Sequence, residues 1–410
     1  MGSFSIALTG LKANSTALNT IGNNLANLNT TAFKDQTTTF SDLFYQQVGS
    51  SGSGDALQQG LGTRVSGTGS DFSQGTLTTT DSATDMAIQG NGFFVTNDNG
   101  VQELTRAGDF QLDNDGNLTT QDGSGVMGYA AINGSVAVGG SPINLRLPIS
   151  ETQQAQATDS FSMDGNLSSG AALGTSFSTP ITMYDSLGTS HVATVSFTKS
   201  ATDQWNYSIT LPAGDATGTP VNNTGTLQFD STGALISPTS NVSGISFSGL
   251  VDGAQDLSMK WNLFDASGNG LLSQTSATSS SSATSQDGYA SGSYSGFTVD
   301  ASGNVSAQFS NGETQTIGQV ALANVANVEG LTHVGNNAYV TTAASGAATV
   351  GLANTGGLGG IEDEALESSN VDISTEFTNL IVAQRAFEAN SKTVTTFDTL
   401  TQETIDMIRS

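Results

Sequence analysis

The chain has 410 residues, 36% hydrophobic and 11% charged, with no cysteine and a formal charge of -26 from 36 acids and 10 bases. So acidic a surface repels nucleic-acid phosphates and anionic lipid headgroups, and zero cysteine removes disulfides, thiol nucleophiles and thiolate metal ligands together. No apolar run approaches the roughly 18 residues of a membrane span, so neither nucleic-acid binding nor membrane insertion is expected, and the length suits about two to four domains.

In chain order, Phe4 to Leu28 carries apolar residues at helical spacing. Phe4, Leu11, Leu18 and Leu25 are seven apart, flanked by Ala7, Ile21 and Leu28. This is a heptad-like seam. The helix bears one charge, Lys12, and asparagines at 14, 19, 23, 24, 27 and 29, a polar face suited to being covered by other protein. No apolar core follows Met1, so no cleavable signal peptide is expected. Gln47–Gly69 is rich in Gly and Ser and reads as a linker. Met86–Val95 reads as strand, turn, strand, and Asn97–Gly100 and Asp113–Asn117 as hairpin turns. Alternation marks strands at Ala193–Phe197, Trp205–Leu211, Ile317–Ala323 and Ala338–Thr342. Ser273–Ser285 and Gly351–Gly360 read as further linkers. The last helix starts at an N-cap, Asp372. Ile373, Leu380, Phe387, Val394 and Ile408 keep the seven-residue step, and Phe377, Ile381, Phe397, Leu400 and Ile405 widen the stripe. An isolated amphipathic helix is marginal in water, so the two terminal helices are expected to pair. The fold class is mixed and mainly β: nested β domains bracketed by N- and C-terminal helices that pair in a coiled-coil-like inner domain.

Signatures of chemistry are sparse. His191 and His333 are the only histidines, neither has a partner at metal-ligand spacing, and both read as surface or loop residues. HExxH, GxSxG and GxxxxGK[ST] do not occur. Asp113–Gly116 and Asp265–Gly270 look like calcium loops, but their registers lack the first ligand or the bidentate Glu, and turn chemistry accounts for them. Glu362 and Glu364 flank a Gly-rich stretch unsuited to fixing two carboxyls for glycoside hydrolysis. Trp205 and Trp261 are expected to anchor a β core. No catalytic residue, cofactor or metal ligand is expected, and the chain is read as not an enzyme.

Asn23-Asn24-Leu25-Ala26-Asn27 followed by Thr30, Thr31, Phe33 and Lys34 resembles the N-terminal signature of the bacterial flagellar rod and hook proteins. Ala32 stands where that family usually has Gly. Asp85–Phe94 with Thr105–Phe110 resembles the family's first β domain, and Gly318–Ala323 with Asn327, Gly330 and Leu331 its returning half. Leu366–Asp372 and Gln384–Ser391 resemble its C-terminal signature. The large middle segment resembles the extra outer domain of the hook members. Distal rod and hook–filament junction proteins are the alternative within the family, and a secreted β-rich adhesin or surface-layer subunit the alternative outside it.

The resemblance implies a terminal helical inner-tube domain (1–33 and 366–410) and a connecting region (34–71 and 351–365). It also implies an inner β domain (72–146 and 287–350) and an outer β insert (147–286). It implies a structural subunit that polymerises with many copies of itself into a curved hollow tube joining rod to filament. That tube would transmit torque as a universal joint. The implied partners are the distal rod protein, the hook–filament junction protein, the hook cap and the flagellar type III export apparatus, and the implied location is the extracellular hook on the basal body. The assembly interface is expected at Phe4, Leu11, Leu18, Ile21, Asn23, Asn24, Leu25, Asn27, Leu28, Phe33 and Lys34. Its C-terminal half is expected at Asn370, Asp372, Phe377, Leu380, Gln384, Arg385, Phe387, Asn390, Val394, Ile405 and Ile408.

Overall fold

A computed structural model describes residues 2–50, 56–132, 134–137 and 139–409. Helix α1 spans Gly2–Ala26 and helix α2 Ile373–Arg409. Asp372 caps α2 as the sequence predicts, its Oδ1 accepting from the N–H groups of Ser374 (2.8 Å) and Thr375 (2.9 Å). Those bonds satisfy donors the first turn leaves free, and they hold the Asp372 carboxyl below its usual range. The helices pack antiparallel, Gly10 lying against Asn390 and Asn24 against Glu376. Among the described residues no helix is long and apolar enough to cross a membrane.

The residues that α1 buries are not its heptad seam. They are Ala7, Gly10, Ala13, Ala17, Thr20, Ile21 and Asn24, a ladder of mostly small side chains. Leu11, Leu18 and Leu25 are only half-buried beside it, and Phe4 is exposed. Small residues at a helix contact set a short interaxial distance, which large side chains would prevent. A Cβ at Gly10 would already stand 3.0 Å from the Asn390 amide.

The segment expected as a linker after α1 is largely β. Gln36–Asp42 pairs antiparallel with Thr63–Ser70, and Tyr45–Ser50 with Ala56–Gly60; positions 51–55 of the expected linker lie outside the described residues. The first ladder packs on α1, where the Thr63 N–H donates to Thr9 Oγ1 (3.3 Å) and Thr38 Oγ1 to Thr20 Oγ1 (2.9 Å). Threonine suits both strand propensity and such hydroxyl contacts.

The chain divides into two compact units. The first comprises Met1–Leu147, Phe297–Ala307 and Gln315–Ser410. In it, Phe93–Asp98 pairs with Val101–Thr105 through the Asn97–Gly100 turn, and with Gly125–Ile132 on its other side. Phe93, Val95, Leu104, Tyr129, Ala321, Ala323 and Tyr339 form its core. Late segments return to early ones: Gly360–Asp363 pairs with Met86–Gln89, and Ala365–Glu367 with Leu77–Thr79. Gly108 is obligatory here, since a Cβ would fall 1.6 Å from the Met86 carbonyl oxygen.

The second unit comprises Pro148–Gly296 and Gln308–Thr314. One sheet is a meander of Ser176–Tyr184, Ser190–Ala201, Gln204–Thr210, Thr224–Phe229 and Leu235–Ser237. The other orders Val242–Phe247, Leu257–Asn262, Ser160–Ser168 and Leu272–Thr275, with Ser280–Gln286 also on Ser160–Ser168. Their alternating apolar residues meet around Trp205 and Trp261, both fully buried. Trp261 stacks on Phe161 with ring centroids 5.8 Å apart, and Trp205 Nε1 donates to Gln274 Oε1 (3.2 Å).

Two sequence expectations fail in this unit. Ser273–Ser285, read as a linker, supplies most of two strands, because ladder bonding needs no apolar side chain and Gly165 lets Ser280 approach closely. His191, read as a surface or loop residue, is buried on the strand Ser190–Ala201. In the calcium-like turns, Asp113 and Asp265 accept the side-chain amides of Asn117 and Asn269, and then backbone N–H groups of their own turns, which holds both carboxyls below their usual range.

Candidate assembly interface

Where α1 ends, the chain turns at Ala32, whose φ of 54° is the left-handed conformation that glycine usually occupies. The Ala32 N–H donates to the Glu367 carbonyl (2.7 Å). This turn delivers Lys34 into the subunit, where its Nζ meets Glu367 Oε1 at 2.6 Å and the Ser73 carbonyl at 2.8 Å. Arg106 approaches the other Glu367 oxygen at 3.3 Å, and the Gly75 N–H donates to Oε1 at 2.8 Å. The Lys34 and Glu367 side chains are fully buried. Burial pushes the Lys34 and Arg106 pKa values down, and the Glu367 charge partly opposes it. A buried cation retains its charge only when paired this closely.

A second node lies beside it. Asn24 Nδ2 reaches Glu376 Oε2 (3.2 Å), the Gln36 carbonyl (2.8 Å) and Asp35 Oδ1. Its Oδ1 accepts from the Gln36 N–H (3.1 Å). Asn370 closes the joint, accepting from the Asp35 N–H (2.7 Å) and donating to the Asp71 carbonyl (2.9 Å). Burial, then the nearby Glu376 and Asp71 charges, raises the Asp35 pKa to about 6.

Four residues expected to face other copies, Ile21, Asn24, Phe33 and Lys34, therefore have their side chains inside the subunit. Within the subunit Lys34 spends its charge on Glu367, and Asn24 uses its amide at four atoms. Leu11, Leu18, Leu25, Asn27 and Leu28 are half-buried, as are Asn370, Leu380, Phe387, Asn390 and Val394. Phe4, Asn23, Asp372, Phe377, Gln384, Arg385, Ile405 and Ile408 are exposed. On α2 the exposed apolar side chains Phe377 and Ile381 occupy i and i+4, and Leu400, Ile405 and Ile408 follow. Sequence reasoning assigned no role to Glu367, Arg106 or Glu376. The available signal was a charged residue inside each of three family-like motifs, at Lys34, Arg106 and Glu367.

Two terminal helices clasped together by motif residues, with a mainly β interior, define the class of flagellar axial proteins, and three family models match accordingly. Flagella basal body rod protein matches residues 4–34, Flagellar basal body protein FlaE D2 domain 166–289, and Flagellar basal body rod FlgEFG protein C-terminal 362–407. The Flagellar hook protein FlgE of Escherichia coli K12 is 34% identical, over 98% of this chain and 99% of that protein. That of Treponema pallidum is 31% identical over the whole of both. The crystal structure of Helicobacter pylori flagellar hook protein FlgE2 shares the fold, with a TM-score of 0.53 at 15% identity, covering 71% of this chain and 100% of that one. The chain belongs to the flagellar hook protein family and is a structural subunit of the bacterial flagellar hook.

Proposed function

We propose that the subunit polymerises head-to-tail through the apolar stripes of α1 and α2 into a curved, hollow tube that acts as a universal joint. The observation that carries this is the exposed row Phe377, Ile381, Leu400, Ile405 and Ile408 on a helix of which the described subunit buries only Glu376 and Ala383. Covering a large apolar side chain is worth about 1.5–3 kcal/mol, and a heterologous contact that does not close on itself propagates as a helical array. Neighbouring α1/α2 pairs would line the channel, and residues 147–286 would form the outer layer. The polar, Ser/Thr-rich surfaces of that layer suit wet contacts that exchange as the tube bends. The distal rod protein and the hook–filament junction protein would bound the tube, the hook cap would guide its growth, and the type III apparatus would deliver subunits outside the cell. The role is mechanical, with no catalytic step.

The test uses residues already exposed in the subunit. Phe377→Asp and Ile405→Asp should leave the circular dichroism and melting of the isolated subunit unchanged, while electron microscopy of cells carrying either variant shows no hooks. Normal hooks from both variants would refute the stripe as the assembly surface.

A further inference from the structure

The second unit holds a cluster that hook architecture does not require. Asp185 follows the strand Ser176–Tyr184, His191 lies six positions on, and Asp215 and Asp252 come from loops joined by the Val251 N–H to Asp215 carbonyl bond (3.0 Å). His191 Nε2 stands 3.1 Å from Asp185 Oδ2 and 3.7 Å from Asp252 Oδ2, while Nδ1 stands 3.0 Å from Asp215 Oδ2. Each carboxylate facing Nε2 is anchored through its other oxygen. Asp185 Oδ1 accepts the Leu187 and Thr189 N–H groups (2.8 and 2.9 Å), and Asp252 Oδ1 the Ala254 N–H (3.1 Å). Among the described residues no lysine or arginine pairs with these aspartates.

Charge and valence are unbalanced here. The His191 side chain is 6% exposed and that of Asp185 fully buried. With Nδ1–H donated to Asp215, the neutral imidazole aims a buried Nε2 lone pair at two oxygens that can only accept. A protonated ring could satisfy one of them, leaving three carboxylates around a single positive charge. A metal-bound histidine commonly donates its other N–H to a carboxylate, which fixes the tautomer. Metal–ligand bonds of about 2.0–2.2 Å place neighbouring ligand atoms about 3.3–3.6 Å apart in a tetrahedron. The ligand atoms of Asp185, His191 and Asp252 all lie within 4.8 Å of one another, at nearly that spacing around Nε2.

We propose that Asp185, His191 and Asp252 form a binding site for a divalent transition cation of the Zn2+ type, with Asp215 as the positioning residue for the imidazole. A mixed nitrogen–oxygen set favours such an ion over Ca2+, which takes six to eight oxygens. Asp252 is solvent-exposed, so the fourth position is open to water. Binding releases to solvent any proton held on Nε2. The ion would staple the turn after Asp185 to the loops bearing Asp215 and Asp252.

The test is isothermal titration of chelator-treated full-length protein with ZnCl2 at pH 7.5, at a concentration where light scattering shows monomer. One saturable site per chain is expected, with raised thermal stability. Asp252→Asn changes an exposed side chain and should weaken binding at least tenfold with an unchanged circular dichroism spectrum. Asp215→Asn should weaken it about 10–100-fold. Co2+ should give visible bands of a site containing nitrogen and oxygen ligands, lost in His191→Gln. Substoichiometric binding, or wild-type affinity in Asp252→Asn, would overturn the proposal. So would an imidazole NMR signal that stays doubly protonated in excess Zn2+, which would make the cluster a proton-held ion hub.

Discussion

Replacing Glu367 by Gln tests the central clasp most directly. The carboxylate takes Lys34 on one oxygen at 2.6 Å and Arg106 on the other at 3.3 Å, with the Gly75 N–H as a third donor. Gln keeps the shape and one acceptor but removes the only negative charge paired with either cation among the described residues. Lys34 retains the Ser73 carbonyl and Arg106 the Ile88 carbonyl at 3.2 Å, so both remain solvated by dipoles alone. Breaking a buried pair by removing one partner costs about 3–5 kcal/mol, and the second stranded cation places this case toward the upper end. Adding Lys34→Met should recover part of that loss, because the double variant strands one cation fewer. Both tryptophans, Trp205 and Trp261, lie in the second unit, so their fluorescence follows that unit. In urea, the Glu367→Gln variant should therefore lose far-ultraviolet dichroism early while its tryptophan transition stays at the wild-type midpoint. A loss below about 1 kcal/mol, or tryptophan and dichroism midpoints moving together, would refute the reasoning.

Asp35 gives a pH dependence of opposite sense to the usual carboxylate. Its folded pKa of about 6 lies above the ordinary value of 3.8, so the folded state binds more protons between those values, and this group's stabilising contribution, full below about pH 4, is lost as pH rises through 6. Asp35→Asn should flatten that part of the stability–pH curve and stabilise the first unit at pH 7; an unchanged curve counts against the burial of Asp35 and the Glu376 and Asp71 repulsion. Ala32→Gly relieves a left-handed φ that costs an L-residue about 1–2 kcal/mol, against about 0.4–1 kcal/mol of added unfolded-chain entropy. Denaturant melts should show a gain of up to about 1.5 kcal/mol, and a net loss would contradict the turn geometry.

Elements with strong local signals were legible in the sequence. Asp372 caps its helix because capping depends on a few adjacent atoms, and the strands around Trp205 follow strict alternation. The helix–helix contact was misplaced because heptad reading weights large apolar residues, whereas Ala7, Gly10, Ala13 and Ala17 are silent in such a pattern and still determine how closely backbones approach. Ser280–Gln286 escaped notice since its partner strand, not its side chains, makes it a strand. Ala32 shows the reverse: an alanine holds the angle that the family's glycine would adopt freely, because the bond to Glu367 and burial over-determine it. The His191 cluster and the Lys34–Glu367 pair depend on residues far apart in sequence, and no local window contains them.

The separation of 333 positions between Lys34 and Glu367 has a consequence for the order of events during biosynthesis. A ribosome releases the lysine long before its counter-charge exists, and the strand partners of Leu77–Thr79 and Met86–Gln89 also arrive late. Until then the first unit can form local hairpins but cannot close, since a lone ammonium resists entering an apolar interior. The last segment made thereby acts as the key that completes the first unit.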